Sequence, residues 1–163
     1  GDTLGYAMRG GSIFVRGNSG YRTGIHMKEY KDKKPAIIIG GTAGSFLGEY
    51  LAGGLIVVLG IGSNDVPAGS FTGTGMHGGK IFLRTDKGLD CKELANLPAQ
   101  VLIDVASSDD LREIEPYIKE FARCFSMDAD AIIKDRFIVL KPNAKNPYKQ
   151  LYTAMEINYQ LAR

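Results

Sequence analysis

A glycine-rich phrase recurs through the first half of the chain and constrains its geometry more than any other feature. GSFTGTGMHGGKIFLR, Gly69 to Arg84, reappears 25 residues earlier as GSFLGEYLAGGLIVVL, Gly44 to Leu59, and again as GDTLGYAMRGGSIFVR, Gly1 to Arg16. A fourth copy opens at Gly20, where Gly20, Gly24 and Met27 match before the register slips. Copies therefore begin at Gly1, Gly20, Gly44 and Gly69, in steps of 19, 24 and 25 residues. Insertions within KEYKDKKP and IGSNDVPA account for the longer steps and leave an underlying period of 19. Such self-similarity marks units that cannot bury their apolar faces alone and must stack on their neighbours.

Each copy ends in a short β-branched run: Ser12 to Arg16, Ala36 to Gly40, Leu55 to Leu59 and Lys80 to Arg84. These read as strands bounded by glycine. Aligned by period they give apolar columns Ile13/Ile37/Ile56/Ile81, Phe14/Ile38/Val57/Phe82 and Val15/Ile39/Val58/Leu83. Side chains alternate faces along a strand, so the first and third columns share one face and the second lies on the other. No helix-length segment separates the copies, which predicts parallel strands joined by turns. The fold class expected is mainly β: a right-handed parallel β-helix of about 19 residues per coil, followed by an α-helical extension. The middle column then needs a cover, from the C-terminal half or from another subunit.

The glycines fall into files: Gly44 with Gly69, Gly5 with Gly24, Gly48 and Gly73, and the pairs Gly53-Gly54 and Gly78-Gly79. Corners that need positive φ or close approach of one coil to the next account for them without a ligand. A phosphate-cradling reading rests on Gly73-Thr74-Gly75 with Gly78, but the chain runs from there straight into KIFLR, so the strand–turn–helix context of a dinucleotide site is missing.

After Gly88 glycine disappears and helical patterns begin. Cys91 to Leu97 suggests a short helical turn, and Gln100 to Ala106 a strand or buried connector. Ser108 serves as N-cap to a helix that carries Leu111, Ile114, Ile118, Phe121, Ala122 and Phe125 on one side to about Met127. A second helix over Asp128 to Asp135, a strand over Arg136 to Lys141 and a final helix opened by Pro147 complete the pattern. The organisation predicted is a glycine-rich domain over residues 1–88 and a helical or mixed extension over 89–163 that packs on it. The chain opens in mid-repeat without a capping turn, which predicts upstream sequence or a partner over that end.

A net charge of +2 with 23% charged residues supplies no basic patch for nucleic acid. The longest apolar strand run, Leu55 to Leu59, is far shorter than a membrane span. Cys91 and Cys124 lack metal-binding or disulfide-framework spacing, and with no secretory signal the expected location is the cytoplasm. His26 and His77 fall two coils apart, too far to share a metal. No catalytic, cofactor-binding or metal constellation is found. His77, Asn64 and Asp65 are kept as contact candidates, with the two charged insertions as candidate points of contact.

The run GGTAGSFLGEYLAGGLIVVLG, Gly40 to Gly60, followed by GSFTGTGMHGGKIFLR, resembles the C-terminal GXGXG domain of the glutamate synthase large chain. It is more distantly similar to one of the subunits of formylmethanofuran dehydrogenase. The likeness is strong from Gly1 to about Asp86 and weaker at FIVLKPNAKNPYKQL, Phe137 to Leu151. The resemblance implies a right-handed β-helix that buttresses other parts of the enzyme. Those parts are a glutaminase and an FMN-binding synthase with its iron-sulfur cluster; the catalytic cysteine, flavin and cluster ligands lie outside this domain. It implies a non-catalytic component of a split glutamate synthase, with FMN and iron-sulfur on partner subunits. Alternatives are a scaffold of a formylmethanofuran-dehydrogenase-like complex, a homo-oligomer, or an independent small-molecule or metal-binding protein using Met76, His77 and the loop Ser63 to Pro67.

Overall fold

The computed structural model describes residues 1–85, 94 and 96–143. Four strands carry the repeats: β1 (Ser12–Val15), β2 (Ala36–Ile39), β3 (Ala52–Val58) and β4 (Gly78–Arg84). They are followed by β5 (Val101–Val105), helices α1 (Ser108–Phe125) and α2 (Ala129–Ile133), and β6 (Phe137–Pro142). All six strands form one sheet in the order β1-β2-β3-β4-β6-β5. β1 to β4 are parallel, with Ile13 opposite Ile37, Ile37 opposite Ile56 and Ile56 opposite Ile81. β6 runs antiparallel to both β4 and β5.

This open, mixed sheet corrects the expected right-handed parallel β-helix. Such a coil carries strands on several sides, whereas each repeat here supplies a single strand. The remainder of the repeat cannot extend, because its third, fifth and seventh residues have positive φ. Beyond β4 the period ends: the next sheet position is filled by β6, antiparallel to β4 and brought back by the helical segment, and β5, which precedes α1, pairs on the far side of β6.

The glycine phrase instead builds a layer of stacked turns. Its sixth residue donates its N–H to the carbonyl of the third, and its eighth to the fifth, as in Tyr6 to Thr3 (3.1 Å) and Met8 to Gly5 (3.2 Å). The same pair recurs in all four copies, ending with Thr74 to Phe71 and Met76 to Gly73. Of the two central residues in each turn only the second has positive φ, the mark of a type II turn, so each copy holds two in tandem. The copies bond to one another through the same backbone. Third and seventh residues donate forward, as Arg22 to Ser45 O (3.0 Å) and Tyr50 to Thr74 O (2.8 Å); fifth residues donate back, as Gly48 to Thr23 O (2.8 Å).

Side-chain direction decides which turn positions must be glycine. At the fifth position a Cβ would point into the core, onto the Ile of the following strand: Gly5 onto Ile37, Gly24 onto Ile56 and Gly48 onto Ile81. At the third and seventh positions side chains point away from the sheet, so Arg22, Phe46, Phe71, His26 and Tyr50 occupy left-handed backbone there. The conformational cost, about 1–2 kcal/mol per residue, is offset by the bonds between copies.

The sheet is thus sandwiched. On one face Ile37, Ile56, Ile81, Ile39, Val58 and Leu83 pack with Met27, Leu47, Leu51 and Met76 of the turn layer. On the other, Ile38, Val57 and Phe82 are covered by Ile114, Ile118 and Phe121 of α1. The middle column is therefore covered by the chain's own helix. Each such side chain, once fully buried, contributes about 1.5–3 kcal/mol. The cap is Ser107, one residue before the expected Ser108, which is instead the first residue of the helix: Ser107 Oγ accepts from the Asp110 N–H (3.1 Å) while Asp110 Oδ2 accepts from the Ser107 N–H (3.0 Å), a reciprocal capping box. Asp86, Cys91 and the helix expected from Pro147 lie outside the described residues.

Candidate functional site

Two surfaces emerge from this arrangement. The first is the outer side of the turn layer, where the outward third and seventh positions line up at the spacing of the stacked copies. Arg22, Phe46 and Phe71 form one row: the Arg22 guanidinium lies 4.8 Å from the Phe46 ring centroid, and Phe46 stacks on Phe71 at 4.9 Å. His26 and Tyr50 belong to the other, His26 stacked on Tyr50 at 5.0 Å and edge-on at 6.2 Å to Tyr6, which stands one residue before the seventh position, Ala7, of the first copy. An ion pair from Arg22 to Glu49, 3.0 Å, joins one copy to the next beside these rows. Tyr6, Tyr21, Tyr50 and Phe71 remain exposed, Tyr6 by 64%. Contiguous exposed aromatics of this kind mark contact surfaces more often than isolated ones do.

The second is a polar cavity of about 440 Å³ at the C-terminal ends of β3 and β4. Gly60, Ser63, Asn64 and Asp65 of the loop after β3 line one side, Arg84 and Thr85 the floor, and Asp135 and Arg136 of the turn before β6 the other side. The gap exists because β6 enters antiparallel to β4. The turn that leads into it therefore faces the loop leaving β3, with no stacked turn between. Arg84 is fixed in the wall: Nε donates to Asp135 Oδ2 at 2.7 Å and Nη1 to the Leu59 carbonyl at 2.7 Å.

Away from both surfaces, a charged cluster fastens α1 to the sheet. Lys80 Nζ lies 3.0 Å from Asp110 Oδ1 and 2.7 Å from Glu113 Oε2; Lys34 Nζ reaches Glu113 Oε1 at 2.6 Å, and Lys141 Nζ reaches Asp110 Oδ1 at 3.1 Å. Burial alone would raise the Asp110 carboxyl, but the Ser107 N–H and the ammonium groups of Lys80 and Lys141 outweigh it and hold it well below the usual carboxylate range. Burial likewise opposes the charged forms of Lys80 and Glu113. The cross-bonds nevertheless push the Lys80 ammonium above its ordinary value and Glu113 below its own, the latter through Lys34 and Lys80.

The contact candidates separate. Asn64 and Asp65 both line the cavity, whereas His77 is exposed where the turn layer enters β4, its Nδ1 3.3 Å from the Gly75 carbonyl. Gly44 and Gly69 lie where a Cβ would strike the preceding copy's backbone, and Gly54, Gly78 and Gly79 approach neighbouring carbonyls in the same way; Gly53 abuts Glu29. The sequence reading missed Arg84, Asp135, Arg136 and the Lys80 cluster. The available signal was a lysine and an arginine at the two ends of the otherwise apolar KIFLR. Among the described residues no group of three His, Cys, Asp or Glu is placed to hold a metal ion, and no helix is long and apolar enough to cross a membrane.

Stacked glycine turns laid on a sheet and backed by a helix define a repeat domain built on backbone hydrogen bonds. The chain matches the GXGXG motif family over residues 1–144 and belongs to it, a domain of the type found at the C-terminus of the glutamate synthase large chain. It is also 43% identical over 141 residues to an uncharacterised protein of Methanocaldococcus jannaschii, an alignment that covers 82% of this chain and 52% of that protein. The chain thus spans about half the length of the curated relative it matches.

Proposed function

We propose that this chain is a non-catalytic structural domain or subunit of a glutamate synthase. In this reading it holds a glutaminase component and an FMN and iron-sulfur synthase component in one assembly. The observation that carries the reading is the membership in the GXGXG motif family together with the aromatic outer face of the turn layer. That face is rigid, because every copy is bonded to the next through its backbone. It presents rings whose burial is favourable and whose side-chain entropy cost is small. The complex would move the amide nitrogen of glutamine to 2-oxoglutarate, with the chemistry carried by the partner subunits.

The test is purification of the tagged protein from its own cells, with flavin absorption and mass spectrometry as readouts. A flavoprotein and a glutaminase should co-purify with the wild-type chain and be lost from a Tyr50→Asp/Phe71→Asp variant that keeps its thermal stability. Recovery of a metal–pterin protein instead would transfer the scaffold role to a formylmethanofuran-dehydrogenase-like complex. Recovery of no partner would end the scaffold reading.

A further inference from the structure

The geometry points to the cavity between β3, β4 and the α2–β6 turn as a binding site for a small zwitterion of the α-amino acid type. This inference does not rest on the glutamate synthase reading. The walls carry both signs of charge, Arg84 and Arg136 against Asp65 and Asp135, with a carboxamide at Asn64 and hydroxyls at Ser63 and Thr85. Arg84 is already committed to Asp135 and to the Leu59 carbonyl, so it shapes the floor. Arg136 is different: among the described residues its guanidinium has no ion pair and no side-chain hydrogen bond. The Asn64 amide is likewise without a hydrogen bond among the described residues. Asp135 uses Oδ2 for both nitrogens of Arg84 and, among the described residues, leaves Oδ1 without a partner.

These groups are complementary to one ligand chemistry. A carboxylate can take the planar fork of Arg136 in two parallel hydrogen bonds, supplemented by the Asn64 amide. An ammonium on the adjacent carbon meets Asp135 Oδ1, one residue away along the same turn. A phosphate dianion is disfavoured by the two aspartates, and a divalent cation by the two arginines. A volume of about 440 Å³ accommodates an amino acid with its side chain and several waters.

Calorimetric titration of the chain with glycine, L-alanine and L-glutamine tests this, with acetate, methylammonium and inorganic phosphate as comparators. Saturable binding of the amino acids with Kd below about 1 mM is expected, with acetate and methylammonium at least about tenfold weaker because each satisfies only one half of the site. Arg136→Ala should weaken amino acid binding by about tenfold or more while leaving the circular dichroism spectrum unchanged, since Arg136 is exposed and makes no side-chain bond to lose among the described residues. Asn64→Ala should weaken it in the same direction by less. Phosphate or acetate binding as tightly as the amino acids, unchanged affinity in Arg136→Ala, or no saturable binding at all would each overturn the assignment.

Discussion

Gly48 lies directly against Ile81: a Cβ on Gly48 would stand 2.6 Å from the Ile81 Cδ1, at a backbone φ of +65°. The two residues belong to successive copies, so a single atom at one turn position would collide with the core of the next. Gly48→Ala is therefore expected to cost about 2–5 kcal/mol, the sum of left-handed strain and overpacking of a fixed strand residue. Gly75→Ala has a similar φ of +69°, but its Cβ would first meet the movable ring of Tyr50. It should cost about 1–2 kcal/mol, mostly strain. Urea denaturation of both variants checks the ordering, and equal losses would remove the distinction between inward and outward turn positions.

The opposite substitution should stabilise. Ala7 occupies the seventh turn position at φ +53°. Ala7→Gly relieves the left-handed penalty while adding unfolded-chain entropy, leaving a net gain of about 0.5–1 kcal/mol. A measured loss of stability would show that the strain attributed to this position is absent.

Asp110 links helix capping to the sheet through Ser107, Lys80 and Lys141. Its carboxyl titrates below the unfolded value, so its contribution is present above about pH 4 and disappears as the pH falls through the folded value. Lys80 is shifted upward, so its contribution is present below about pH 10.4 and is lost as the pH rises through its folded value. Thermal stability should accordingly hold across neutral pH and decline at both extremes. Asp110→Asn should lower it by about 2–4 kcal/mol at pH 7 and flatten the acid limb. An acid limb identical to wild type would show that other carboxylates control it.

Phe121 is fully buried between α1 and the sheet, its ring tip close to Gly40. Phe121→Ala should cost about 3–5 kcal/mol. Because α1 is the main described cover over Ile38, Val57 and Phe82, the variant should also bind a hydrophobic dye. Loss of stability without dye binding would show that the sheet face stays covered.

The four repeat strands were readable because their signal is local: β-branched runs closed by paired glycines recur at a fixed phrase. The capped helix was readable for the same reason, from Ile114, Ile118 and Phe121 at helical spacing behind a serine and two aspartates. What the sequence does not encode locally is direction. RFIVLK reads as a strand whichever way it lies, and its antiparallel entry beside β4 depends on how α1 packs, a long-range outcome. That one choice ends the stack, makes the sheet mixed and opens the cavity, so Arg136 could not be singled out beside Asn64 and Asp65. The turn layer was hidden differently. Left-handed backbone at Phe46, Tyr50 and Phe71 contradicts the ordinary preference of those residues, and only hydrogen bonds between copies reveal why it is tolerated.

Outward turn positions and inward glycines divide the labour of each repeat. Since the bonds that recur between copies run through main-chain atoms, the residue at a third or seventh position adds only side-chain contacts, such as Arg22 to Glu49, to a stack that is already held. The turn layer therefore behaves as a printing bed: its rows of side chains can be reset one by one, while the glycines and isoleucines beneath keep the type in line.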